Sequence, residues 1–374
     1  MKEVTMWQLS ENKNWSHLEH TFEWVRVMQE VPQDARHHAE GNVAVHTQMV
    51  LAALQQLPGY RQLPAADQEL LWAAALLHDV EKYSTTVIEP DGRITSAGHA
   101  RKGEARARQI LYRDVPAPFL VREQIAKLVR YHGLPLWIFE KPDPQKALIT
   151  ASLEVNTQLL ALLARADALG RNCADQADLL YRLDCFEELC RENNCWGQPR
   201  PFATPQARME YLLKTGSSPD YVPFETLQTP VILMSGLPGA GKDTYIQRHY
   251  KHLPVISLDH IRQTMKISPT DKSGNGVVIQ AAKEQARIYL REKKSFVWNA
   301  TNITRQMREQ VISLFTTYEA AVTIVYVEVP AAKLLQQNRQ REEVVPAAAM
   351  ERLVRKLEVP TITEAHELKI AVSS

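Results

Sequence analysis

Over the first half of the chain, apolar residues recur at three- and four-residue spacing. GNVAVHTQMVLAALQQL, DQELLWAAALLHDVEKY, GHARKGEARARQILYRD, APFLVREQIAKLVRYH and ASLEVNTQLLALLARADAL each carry them at i, i+3, i+4, i+7, the period of a helix with one buried face. TVIEPDGRITS interrupts the series. Its Asp91-Gly92 stands between two short β-like runs and predicts a small hairpin. From about Asn193 to Pro230 the texture changes: Pro, Gly and Ser crowd together around one helical stretch, QARMEYLLK. That composition predicts a linker over 193–229. Beyond it, the β-branched runs PVILMSG, VISLD, SFVWNAT and AVTIVYVEV alternate with helical segments, as in a parallel α/β sheet. The expected fold is multidomain, an all-α bundle over 1–192 followed by an α/β domain over 230–374.

Composition narrows this only slightly. The 374 residues suffice for two domains at roughly 100–200 residues each. Lys plus Arg total 44 and Asp plus Glu 43, a net charge of +1. Such a chain does not coat nucleic acid or acidic membranes through a large positive field, so any nucleic-acid contact is local. A 45% hydrophobic, 23% charged composition fits folded domains with full cores. No apolar run reaches the ~18 residues of a spanning helix. The opening MKEVTMWQLSENKN lacks the apolar core of a secretory leader, and a cytoplasmic location is expected. Cys173, Cys185, Cys190 and Cys195 form no C-x-x-C pair and read as reduced thiols.

In the second half, Gly236-Leu-Pro-Gly239-Ala240-Gly241-Lys242-Asp243-Thr244 follows an apolar strand and opens a helix. This is the pattern of a phosphate-binding loop. Glycines let backbone N–H groups wrap the phosphates, the helix start favours negative charge, and Lys242 reaches the β/γ oxygens. ATP or another NTP with Mg²⁺ is the expected ligand. Asp243 stands where Ser or Thr is usual. The metal would then be held by the Asp243 carboxylate, by Thr244 or through water, or Asp243 merely caps the helix.

VISLD ends in Asp259, with Arg262 three residues on. At a strand end facing the ligand crevice, a carboxylate can take the proton of an attacking hydroxyl and an arginine can grip an acceptor phosphate. An aspartate N-cap with an i, i+3 ion pair explains the same residues. The loop, Asp259-x-x-Arg262, and Asn338-Arg339-Gln340-Arg341 ahead of Val345-Pro346 together resemble the phage and bacterial 5′-hydroxyl polynucleotide kinases. The resemblance implies that Asp259 activates the 5′-OH, Arg262 contacts the neighbouring phosphate, and Arg341 acts from a lid on the transferring phosphoryl group. Relatives often carry Asp-Thr-Asn after the third strand. Here Ala300-Thr301-Asn302 follows Asn299, so that carboxylate is missing.

The helical half places ionisable groups on apolar faces. His46 lies with Met49, Val50 and Ala53, and His78-Asp79 sits inside an apolar run. His132 follows Ile125, Leu128 and Val129, and Asp167 follows Leu160, Leu163 and Ala164. Burying one such group costs several kcal/mol unless it is paired or bound to metal. Several helices doing so together point to a metal inside a bundle. The order His46, His78-Asp79, Asp167 resembles the HD phosphohydrolase superfamily, and His99 and His132 resemble the ligands that its two-metal members add. The resemblance implies one or two divalent transition-metal ions. His46, His78, Asp79 and Asp167 would hold the first, with His99 and His132 helping a second, and Lys82 would neutralise phosphate. Glu40 would orient the water, or is simply an acidic residue near a helix start.

HD module first and P-loop kinase second, the chain resembles the bacterial HD-Pnk family of RNA end-healing enzymes along nearly its whole length. This implies hydrolysis of a 2′,3′-cyclic phosphate or 2′-phosphate in one half and phosphorylation of a 5′-OH in the other. RNA strand ends, or DNA ends, would be the substrate, a ligase would act downstream, and no membrane is involved. Arg287, Arg291, Lys293, Lys294, Arg305, Arg308, Arg339, Arg341, Arg352, Arg355 and Lys356 supply local positive charge, many of them on solvated helix faces. Two other readings remain open: an HD nucleotidase fused to a nucleoside or small-metabolite kinase, and a nucleotide-sensing P-loop that regulates an HD hydrolase.

Overall fold

A computed structural model of the chain describes residues 6–227, 229–268, 271–341 and 344–373. The first five residues of the amino-terminal stretch thus lie outside the described residues. The chain divides into two compact units, Met1–Pro201 and Phe202–Ser374.

The first unit is helical, as the periodicity predicts. Its main helices are α1 (Val43–Gln56), α2 (Ala65–Leu77), α3 (His99–Gln109), α4 (Phe119–Tyr131), α5 (Thr157–Leu169) and α6 (Gln176–Glu192). A hairpin of β1 (Val87–Ile88) and β2 (Ile94–Thr95) pairs antiparallel between α2 and α3. In α2 every residue from Glu69 to Leu77 is buried, which makes it the bundle's central rod. It ends at Leu77, and His78-Asp79 opens the turn that follows. The stretch ASLEVNTQLLALLARADAL is not one helix. Residues Pro144–Ser152 form one helix, and α5 restarts at Thr157 because the Asn156 side chain accepts from the Gln158 and Leu159 amides, an N-cap.

A buried ionic cluster joins α3 to α4. Glu104 accepts from Arg108 at 2.9 Å and lies 3.0 Å from Lys127, which also lies 2.9 Å from Glu154. Burial pushes the Glu104 carboxyl up, but Lys127 and Arg108 outweigh it and hold the group at about 2. A depressed carboxyl contributes stability in full above its unfolded value, near 4.5, and loses it as pH falls toward 2. Glu104→Gln is therefore expected to cost about 3 kcal/mol at pH 7, since it leaves two buried cations underpaired. Urea unfolding at pH 7 and pH 3 checks this, with the deficit smaller at pH 3.

The second unit holds a five-stranded, all-parallel sheet in the order β4-β5-β3-β6-β7. Its strands are β3 (Thr229–Ser235), β4 (Val255–Ser257), β5 (Phe296–Asn299), β6 (Ala320–Glu328) and β7 (Glu367–Val372). β4 and β5 lie to one side of β3, and β6 and β7 to the other, so the strand order reverses at β3. In such sheets the ligand crevice lies at the strand C-termini beside this reversal. β3 and β6 are buried along most of their length, which matches their unbroken β-branched runs.

Seven helices of this unit concern us: α7 (Pro205–Leu213), α8 (Lys242–His249), α9 (Leu258–Thr264), α10 (Lys272–Arg291), α11 (Arg305–Thr316), α12 (Ala331–Arg339) and α13 (Ala347–Arg355). The helical stretch inside the Pro-rich segment is α7, and its Arg208 donates to the Ala365 and His366 carbonyls just before β7. Two sequence expectations change here. VISLD is strand only as far as Ser257, and Leu258-Asp259 already belong to α9, because the Ser257 side chain accepts from the His260 amide and caps that helix. Arg308 is not on a solvated face. It is fully buried, pairs with Glu364 through both oxygens, and donates to the Asn302 and Glu358 carbonyls. No helix among the described residues is long and apolar enough to cross a bilayer. The four cysteines are free thiols.

Candidate active sites

The turn after α2 carries the first site. His78-Asp79 meets His46 from α1, His99 from the start of α3, His132 from the end of α4 and Asp167 from α5. Each histidine hands its Nδ1 to an acceptor. His78 donates to the Ala75 carbonyl at 2.7 Å, His99 to Ser96 at 2.8 Å, His132 to Val129 at 2.8 Å, and His46 to Gly170 at 3.2 Å. A carbonyl only accepts, so each ring carries a proton on Nδ1 and turns Nε2 toward the centre. Those Nε2 atoms face one another, 3.4 Å apart for His46 and His78 and 3.2 Å apart for His99 and His132.

Asp79 stands between the two pairs. Its Oδ2 is 3.3 Å from His78 and 3.8 Å from His46, and its Oδ1 is 3.4 Å from His99 and 3.9 Å from His132. The buried Oδ1 has no hydrogen-bond partner. His46, His78 and Asp79 form one compact set of potential ligands, and Asp79, His99 and His132 a second. Facing imidazole nitrogens and an orphaned carboxylate oxygen, buried except at half-buried His99, are costly without a cation, and imidazole with carboxylate is the donor set of divalent transition metals. The residues therefore fit one metal in each set, with Asp79 common to both.

Asp167 lies 3.1 Å from His46 Nε2, but both its oxygens also accept from Arg171, at 3.0 and 2.6 Å. Burial raises Asp79 and Asp167. Lys82 and His78 outweigh it for Asp79, and Arg171 and His46 for Asp167, so both stay ionised well below the usual carboxylate range. Lys82 Nζ is 2.8 Å from Asp79 Oδ2 and donates to Gln33 at 2.6 Å.

Glu40 does not face the centre. It lies before α1, where Asn42 is the cap, and its Oε1 takes His46 Nδ1 at 2.9 Å and His38 Nδ1 at 2.8 Å, while Oε2 accepts from the Asn172 amide. Burial raises its pKa, but the bonds from His46 and Asn172 hold it at about 2. Glu40 thus orients His46, as outer partners of ligating histidines do. A cavity of about 890 Å³ opens over the cluster, lined by Asp79, Lys82, His99, His132 and Asp167 and by the cations Arg130, Lys141, Lys146 and Arg171. Sequence reasoning missed His38, Gln33 and Arg171. Only Arg171 left a local signal, four residues after Asp167.

The second site is the turn from β3 to α8. Gly236, Gly239 and Gly241 take φ of 149°, 82° and 94°, which side chains disfavour. A Cβ on Gly236 would also strike the Val327 carbonyl oxygen on β6. Gly236→Ala is expected to weaken nucleotide binding about 10- to 100-fold, from 1–3 kcal/mol of strain in the loop. Isothermal calorimetry with ATP reads it. Lys242 bends back over the loop and donates to the Gly236 and Leu237 carbonyls at 2.9 and 3.1 Å. Burial pulls its ammonium down to about 8, the Arg341 charge acts in the same direction, and Asp243 and Asp259 oppose both. These three charges thus share the lysine's electrostatic neighbourhood.

Asp243 does not cap α8, whose cap is Gly241. Its Oδ1 accepts from Asn299 Nδ2 at the end of β5, at 2.6 Å. Asp259, 69% exposed, takes Arg262 at 2.6 Å, and Arg262 also donates to Asn275 on α10. Thr301 and Asn302 serve the architecture: the Thr301 carbonyl accepts from the Gly236 amide, and Asn302 Nδ2 donates to the Met234 carbonyl. Asn338 exchanges two hydrogen bonds with the Val345 backbone, and the two residues lie on either side of Arg341 in the sequence. A smaller cavity of about 320 Å³ beside the loop is lined by Ala240, Gly241, Thr244, Tyr245 and Arg248 among others.

Comparison with known proteins separates the same two halves. Residues 43–180 match the family model described as HD domain, and residues 231–360 the one described as AAA domain. No curated protein shows significant sequence similarity to the chain. Among solved structures, the chain is similar to a protein from Chloroflexus aurantiacus J-10-fl described as a kinase, at 17% identity and a TM-score of 0.34, over 39% of this chain and 86% of that one. It is also similar to a sugar kinase from Janibacter sp. HTCC2649, at 16% identity and a TM-score of 0.31, over 39% and 85%. At these scores neither likeness bears on function. The chain joins an HD domain to a P-loop kinase-like domain.

Proposed function

We propose that the chain is a bifunctional nucleic-acid end-healing enzyme. Its HD domain hydrolyses 2′,3′-cyclic phosphate or 2′-phosphate RNA ends, and its P-loop domain moves the γ-phosphate of ATP or another NTP to a 5′-OH, leaving ends for a ligase. One observation carries the reading. A single chain holds a His/Asp cluster under a cation-lined cavity and a glycine loop after a buried parallel strand, with Lys242 bent back over it.

In the HD domain His46, His78 and Asp79 would hold one divalent metal, with Asp167 beside them, and Asp79, His99 and His132 a second. A metal held there would supply hydroxide near neutral pH and polarise a phosphoryl oxygen. The chain's own residues do the rest. Glu40 and the four carbonyls fix the imidazoles in the ligating tautomer, Lys82 offsets charge gathering on the phosphate, and Arg130, Lys141 and Lys146 suit an anionic strand end. The cavity volume of about 890 Å³ suits a terminal nucleotide better than a bare phosphate.

In the kinase domain, binding and positioning do most of the work. The loop amides and Lys242 hold the triphosphate, Asp259 takes the proton of the attacking 5′-hydroxyl, Arg262 fixes Asp259 and meets the adjacent phosphate, and Arg341 stabilises the phosphoryl group in transit. Kinase assays that offer a 5′-OH oligonucleotide against free nucleosides test the acceptor. Transfer to the oligonucleotide is expected, and phosphorylation of nucleosides alone would sink the reading.

A further inference from the structure

In P-loop enzymes Mg²⁺ is commonly held by the loop's Ser or Thr hydroxyl together with an aspartate from a neighbouring strand. This chain has a carboxylate at the loop position and no acid at the end of the neighbouring strand, where Asn299-Ala300 stand. The loop position carries the carboxylate, Asp243, and the residue facing it at the end of β5 is the amide Asn299, bonded to it at 2.6 Å. Asn299 is buried, and its Oδ1 has no hydrogen-bond partner. Asp243 is exposed, in the first turn of α8. Asn299 Nδ2 occupies one carboxylate oxygen and leaves the other for a ligand, and Lys242 beside it lies within range of the Asp243 charge.

We propose that Asp243, held in place by Asn299, is the carboxylate that carries the Mg²⁺ of the bound nucleoside triphosphate, so that this kinase site has its metal-holding acid on the helix and not on the strand. The inference rests on the nucleotide-binding reading of the loop. The chemistry suits it: Mg²⁺ prefers carboxylate oxygen and keeps several waters. The assignment also accounts for two departures at once, the missing hydroxyl at 243 and the missing acid at the end of the third strand.

The test is ATP affinity with and without Mg²⁺, measured by calorimetry on the full chain, for the native protein, Asp243→Asn and Thr244→Val. Asp243→Asn keeps the shape and can still accept from Asn299, so it removes only the charge. The native protein is expected to bind ATP at least about tenfold tighter with Mg²⁺. Asp243→Asn removes a carboxylate that repels the bare triphosphate, so it is expected to bind metal-free ATP no more weakly than the native protein and to lose most of that gain, and Thr244→Val is expected to keep the gain. The assignment is overturned if Asp243→Asn retains the Mg²⁺ gain, if its metal-free affinity falls equally, if the gain disappears in Thr244→Val instead, or if the native protein shows none. A 5′-end transfer assay run in parallel separates this from the substrate question. Failed transfer with an intact Mg²⁺ gain contradicts the acceptor and leaves the metal assignment standing.

Discussion

Asp79→Ala is expected to abolish phosphoesterase activity and leave 5′ phosphorylation at its native rate. The loss follows from position. Asp79 alone belongs to both sets of potential ligands, one oxygen toward His46 and His78 and the other toward His99 and His132. Substituting an outer partner of a metal ligand typically costs 10- to 100-fold, so removing a ligand shared by two metals should cost more than about 100-fold. It would also strip Lys82 of its carboxylate partner at 2.8 Å. Survival of the kinase follows because Asp243, Asp259, Lys242 and Arg341 all belong to the other unit. End analysis of an oligonucleotide carrying a 2′,3′-cyclic phosphate and a 5′-OH reads both activities at once. Joint loss in a protein that still melts cooperatively would contradict independent sites.

Asp259→Ala is the mirror experiment. The expected result is a fall of about 10²- to 10⁴-fold in 5′ transfer, the usual contribution of a general base, with ATP affinity and phosphoesterase activity unchanged. The carboxylate lies in the first turn of α9, where Ser257 already caps the helix, so no cap is lost. Its ion pair with Arg262 is exposed on the acid side and contributes little to stability. A stability loss is therefore not expected to confuse the result. If Asp259→Ala binds ATP and transfers phosphate as the native chain does, the residue is only an ion-pair partner, and the nucleotide-sensing reading gains.

Much of this was legible in the chain because it rests on local rules. The 3.6-residue period marks α1, α2 and α4, Asp91-Gly92 marks the hairpin, and the strand–loop–helix grammar marks the P-loop. The buried cluster was legible for a different reason: His46, His78, Asp79, His132 and Asp167 sit on faces that must be core, and such placement needs a shared explanation. What escaped depends on long-range contact. Glu40 meets the Asn172 amide 132 residues away, and Arg308 is drawn out of a basic run by Glu364 56 positions on. β7 escaped because most of its residues are exposed or half-buried, which blurs the alternation that would mark it. Asp259 was placed at a strand end because the serine cap that starts α9 reads equally well as strand.

On the proposed function, one chain repairs both ends of a broken strand with two separate sites. The most direct measurement is a single incubation of the full chain with an RNA oligonucleotide bearing a 5′-OH and a 2′,3′-cyclic phosphate, with ATP, Mg²⁺ and a transition-metal panel, followed by analysis of each end. The expected products are a 5′-phosphate that requires ATP and an opened, dephosphorylated 3′ end that requires the transition metal but not ATP. An oligonucleotide unchanged at both ends, while free nucleotides or nucleosides in the same reaction are dephosphorylated or phosphorylated, would contradict it.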